Sequence, residues 1–261
     1  IFKWRMDNIP EILEEFRVSP EEKYQMYIKF SPVDFTLEGY KGSFESWESF
    51  GKWAASLYKD RFSLPNSVEA EIKEIVKDIP AKRDKISAIY RYLQSQCRYV
   101  AVEMGIHGYQ SPPAENVFNN KYGDCKGLTV LMIAMLRSLG ISAYPALALT
   151  RTEGLTDSEF PENLFNHVIA FIPDEKDTLW LECTSKYGDS GNMPYEIEGI
   201  NALVIFDEGG VLIKTPTKGF EQNKFISSVA GVIENNGNLI FDFKISSSGN
   251  QKAFLQSAFT S

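Results

Sequence analysis

The hydrophobic period of the chain changes once, near Gly140, and that change limits the folds open to it. Before it, apolar residues recur every three to four positions: Trp47, Phe50, Trp53, Ala54 and Leu57, then Ile86, Ile89, Tyr90, Leu93 and Cys97, then Leu128, Leu131, Met132, Met135, Leu136 and Leu139. That spacing is the mark of helices with one buried face. After it the period is two, in the short runs ISAYPALAL, FNHVIAFIP, TLWLECT and ALVIF, which are split by polar turns and read as strands. Helices first and strands afterwards predict an α+β fold, helices packed on an antiparallel β-sheet, rather than an alternating α/β fold.

The flanks fit around that core. Asn66 with Glu69 resembles a capping box opening a helix to about Lys77, where Pro80 stops it. The stretch AVEMGIHGYQSPPAENVFNNKYGDCKG, more than twenty residues long, reads as a loop, and loops of that length within a compact core are often functional. Prolines 10, 20 and 32 interrupt the N-terminal part, which reads as an extended arm with a strand in YQMYIKFSPVDF. SSVAGVIENNGNLIFDFKISS reads as a hairpin about Asn235-Asn236-Gly237-Asn238, and SGNQKAFLQSAFTS as the approach to another strand. The expected organisation is an arm over residues 1–43 that forms the tail of an upstream domain, a core over 44–219, and the start of a C-terminal β domain over 220–261. A start at Ile1 suggests a piece of a longer protein.

Charge and cysteine usage remove several function classes. Lys and Arg number 27 against 35 Asp and Glu, a net charge of −8, which leaves no basic field for nucleic acid or anionic lipid. No run approaches the ~20 apolar residues of a membrane span, and IFKWRMDNIPEILEE lacks a signal-peptide pattern. Phosphate-loop and dinucleotide motifs are absent, and oligomeric state leaves no trace in the sequence. The three cysteines, Cys97, Cys125 and Cys183, include no CxxC pair and cannot make a four-thiolate zinc site. Cys97 reads as a core thiol by its helical spacing. A metal site drawing on Cys125, His167 and Cys183 lacks a fourth ligand.

Cys125 opens a helix after KYGD, with Asp124 placed to cap it and Lys126 beside it. The positive end of a helix favours a thiolate there, while Asp124 opposes it. A nucleophilic cysteine needs a base, and the chain has only His107 and His167 to offer. His167 stands at the start of a strand that a turn at PDEKD joins to TLWLECT, so either Glu182 or Cys183 comes opposite it, depending on register. Glu182 opposite the ring would orient it and stabilise its charged form.

The runs GYQSPPAENVFNNKYGDCKGLTVLMIAMLRSLGISAYPAL, FNHVIAFIP and WLECTS resemble the transglutaminase-like superfamily over roughly Ser63 to Pro216. The resemblance implies a papain-like core in which Cys125, His167 and Glu182 fill the catalytic places in order, with Glu182 standing where the family usually has Asp. It also implies Gln110 as an oxyanion candidate. Tyr109, Tyr122 and Trp180 are neighbours of these residues by sequence, and read as packing residues that could line a cleft. The expected activity is amide hydrolysis or acyl transfer on peptide or protein substrates through a thioester, with no metal or organic cofactor. The alternative is an inactive binding or scaffold module. Members with this architecture are typically exported proteins of the Bacteroidetes type, so a periplasmic or cell-envelope location is expected.

Overall fold

The computed structural model describes residues 3, 5–8, 28–101, 104–174 and 178–260. A hairpin, β1 (Asp34–Leu37) and β2 (Tyr40–Ser43), leads into helices α1 (Trp47–Tyr58), α2 (Asn66–Ile75) and α3 (Lys82–Gln96). Next come β3 (Arg98–Tyr99), α4 (Ala114–Asn120), β4 (Tyr122–Gly123) and α5 (Cys125–Ser138). Strands β5 (Tyr144–Ala148), β6 (His167–Ile172), β7 (Leu179–Leu181), β8 (Asn201–Phe206) and β9 (Gly209–Lys214) form one antiparallel sheet in the order β7-β6-β5-β8-β9. Helices on an antiparallel sheet are the α+β arrangement that the change of period predicts.

The sheet has a core on each face. Ala170, Ile172, Leu181, Leu203 and Ile205 face the helices and join Phe50, Ile89, Leu93 and most of α5 in the larger core. Ala146, Ile169, Phe171, Trp180 and Val204 face the other way, onto Met193, Ile197 and Ile200. Helix α5 runs through the middle: every residue from Cys125 to Leu136 is buried, so it is not the one-faced helix its Leu and Met spacing suggests. It ends at Gly140, whose φ of +74° suits a residue without a side chain. Helix α1 is capped by Ser46, whose hydroxyl accepts from the Ser49 N–H at 3.1 Å. It crosses β9 so closely that a Cβ on Gly51 would lie 1.9 Å from the Gly210 nitrogen.

Several local expectations change. Pro65, not Asn66, occupies the N-cap of α2 and no side chain caps it, so the Asn66/Glu69 capping box does not form. The long loop contains α4, a 3-10 turn at Gly105–Gly108, and β4 paired in parallel with β3. Part of YQMYIKFSPVDF lies outside the described residues, and its end, Asp34 and Phe35, opens the β1–β2 hairpin. There Phe35 stacks on Phe44 at 4.5 Å and meets Trp53 edge-on at 5.1 Å. The C-terminal hairpin is β10 (Phe225–Ile233) and β11 (Leu239–Ser247), with Gly237 at φ +88° in its turn. SGNQKAFLQSAFTS is not a strand: Asn250–Thr260 forms helix α6. Its residues lack the strict alternation of a strand, and Gln251, Lys252, Ala253, Leu255, Gln256 and Ala258 are good helix formers.

Candidate active site

Cys125 is the first residue of α5, where the unpaired N–H groups and the positive helix end point. Asp124 holds that end: its Oδ1 accepts from the Gly127 N–H at 2.8 Å. Its other oxygen, Oδ2, forms an ion pair with the Lys126 ammonium, and both side chains are buried. Cys125 and Lys126 line a cavity of about 300 Å³ together with His167, Trp53, Tyr58 and Tyr109.

His167 begins β6 and lines the same cavity as Cys125, near enough for the sulfur to act on its charge. On its far side its Nε2 lies 2.6 Å from Glu182 Oε2, which leaves Nδ1 as the nitrogen for the thiol. Glu182 is itself held in place. Its Oε1 accepts from the Thr184 N–H at 2.7 Å and the Thr184 hydroxyl at 2.6 Å, and the Tyr90 hydroxyl donates to its carbonyl at 2.6 Å. Burial works against a charged imidazole, but the neighbouring Cys125 and the bonded Glu182 outweigh it and push His167 up to about 10. Burial likewise works against a charged Glu182, yet His167 and Thr184 hold its carboxyl below the usual range.

The register differs from both sequence alternatives. Ala170 pairs with Leu181 and Ile172 with Leu179, a register further along than either alternative, and the ladder stops at Leu181. The connection takes in Thr178 as well as PDEKD, and the added residue moves the ladder by one. Glu182 still emerges on the His167 face as a diagonal neighbour, because side chains alternate with period two. Cys183 takes the opposite face, packs in the larger core and hydrogen-bonds the Leu181 carbonyl at 3.7 Å. Burial pushes its thiol well up, and pushes the half-buried Cys97 thiol up as well. All three cysteines are free. Among the described residues no three His, Cys, Asp or Glu side chains are grouped to hold a metal ion.

Other expected residues lie elsewhere. His107 is exposed in the 3-10 turn and borders a different, smaller cavity beside Asp124. Gln110 is 8% exposed, and its amide donates to the Tyr40 hydroxyl at 3.1 Å rather than lining the cavity of Cys125. Of the three aromatic residues, Tyr109 lines that cavity, Tyr122 borders the smaller one, and Trp180 packs edge-on against Phe171. The sequence gives no local hint of Trp53 and Tyr58, which reach the cavity from α1. Among the described residues Trp53 Nε1 and Tyr58 Oη are buried without hydrogen-bond partners. Burial, with Cys125 and Asp124 nearby, pushes the Tyr58 hydroxyl well up.

A buried cysteine at a helix start, sharing a cavity with an imidazole that a carboxylate holds, on an α+β scaffold, is the arrangement of a papain-like fold. Residues 70–188 match the model of the transglutaminase-like superfamily, which that part of the chain resembles. Two solved structures are similar to it. A candidate protease from Parabacteroides distasonis ATCC 8503 matches at 15% identity over 77% of this chain and 46% of its own, with a TM-score of 0.50. A candidate cysteine protease from Cytophaga hutchinsonii matches at 12% identity over 74% of this chain and 54% of its own, with a TM-score of 0.38. The chain thus spans about half the length of either. No curated protein matches it.

Proposed function

We propose that the protein is a cysteine-dependent amide hydrolase or acyltransferase acting on peptide or protein substrates, exported to the cell envelope as its family resemblance suggests. The observation that carries the reading is that Cys125 and His167 line one cavity while Glu182 hydrogen-bonds the ring of His167 at 2.6 Å. The raised pKa of His167 keeps its ring protonated at neutral pH, the form needed to protonate a departing amine.

The Cys125 sulfur bonds to the carbonyl carbon while the carbonyl π electrons move to oxygen. As they return, the C–N bond breaks and His167 gives its proton to the amine. Water or a second amine then attacks the thioester, His167 takes the incoming proton, and the C–S bond breaks to free the thiolate. Glu182 keeps the ring oriented and compensates its charge throughout.

Alkylation of each cysteine, followed by peptide mass spectrometry across pH in the wild type and His167→Ala, tests this reading. Cys125 alone should react fast below the ~8.5 of a free thiol, and lose that advantage without His167. Cys97 and Cys183, whose burial opposes ionisation, serve as internal controls. An ordinary rate at Cys125 in both proteins would leave a binding module as the better reading.

A further inference from the structure

The reaction makes no use of the buried pair beside the nucleophile. An N-cap needs one oxygen to accept a helix N–H, and Asn, Ser and Asp serve about equally well. Asp124 supplies that oxygen but brings a negative charge next to a sulfur that must itself become negative. Lys126, one residue past Cys125 and 4% exposed, sets its ammonium on the carboxylate oxygen that the cap leaves over. Buried ion pairs of this kind seldom raise stability over apolar residues of similar size, so stability is a poor reason for the pair.

We propose that Lys126 is a positioning residue that cancels the charge of Asp124, so that the cap orders the start of α5 without opposing the Cys125 thiolate. This rests on the reading of Cys125 as the nucleophile. The other ionisable groups around the cluster are His167 from β6, backed by Glu182, and Tyr58 from α1, with His107 across the smaller cavity from Asp124. None of these bonds to the spare oxygen of Asp124.

The pH midpoint of Cys125 alkylation by iodoacetamide, in the otherwise intact chain, tests the cancellation. In Lys126→Met the carboxylate is unopposed, and the midpoint should rise by about one unit, making alkylation roughly tenfold slower at a fixed pH below it. In Asp124→Asn the cap survives, the ammonium is unopposed, and the midpoint should fall. In the double variant Asp124→Asn/Lys126→Met it should return to within about a third of a unit of the wild type, a rescue that a purely structural role for Lys126 does not give. An unmoved midpoint in Lys126→Met, or a double variant still displaced, overturns the proposal. Should Lys126→Met not fold by circular dichroism, Asp124→Asn decides: a fall upholds the proposal, and no change or a rise overturns it. His167→Ala reports separately on the catalytic reading, so the two can fail independently.

Discussion

Glu182 has one methylene more than an aspartate, and that length would leave a carboxylate loose were only one of its oxygens engaged. Both are engaged: Oε2 by the imidazole and Oε1 by the N–H and hydroxyl of Thr184. The pair's stabilisation has a definite pH window. His167 is raised from 6.5 to about 10, so its share is complete below pH ~6.5 and is lost as pH rises toward 10; Glu182 is lowered, so its share is lost as pH falls below ~4.5. Glu182→Gln keeps the shape and removes the charge. It should bring the His167 titration, followed by NMR of the ring protons, down toward 6.5 and cost ~2 kcal/mol at pH 6, with the difference shrinking above pH 8. An unchanged His167 titration would mean that Cys125 alone holds the ring charged. Cys125 and His167 were legible in the sequence because imidazoles are so scarce. Lys126 was visible as well, but its pairing with the spare oxygen of Asp124 depends on rotamers that spacing does not encode.

At the scale of elements, the helices and strands of the core follow from the two periods, whereas the joints between them do not. The β6–β7 register turned on whether Thr178 belonged to strand or turn, a choice that polar residues at a loop leave open. Helix α1 reads plainly from Trp47, Phe50, Trp53 and Leu57, but its contribution of Trp53 and Tyr58 to a cavity formed some seventy residues later is a tertiary fact. The α1–β9 crossing is where that placement is decided. Gly51 and Gly210 let the two backbones touch, and neither can yield because each is main chain. Gly51→Ala should therefore destabilise the protein by roughly 3 kcal/mol or more, read as a drop in the urea midpoint, although Ala is the better helix former. A variant as stable as the wild type would show that α1 can slide along the sheet.

Over the whole molecule, order is unevenly distributed. The middle of α5 and the inner strands β5 and β6 are buried, while both strands of the β10–β11 hairpin lie at the surface with Phe225, Val229, Ile233, Phe241 and Phe243 exposed. A two-stranded hairpin without a packed face has little stability of its own. Native-state hydrogen exchange should find residues 128–136 protected close to the global unfolding limit and residues 225–247 exchanging orders of magnitude faster. Equal protection in both would mean that the hairpin shares the cooperativity of the core. No helix among the described residues is long and apolar enough to cross a membrane. The same unevenness governs the cavity. Cys125 opens a helix buried from Cys125 to Leu136, whereas the lining also includes Tyr109, 41% exposed, beside a glycine turn. The cavity is therefore lopsided: the sulfur sits on a wall that the core encloses, and the ring of Tyr109 on one that meets solvent.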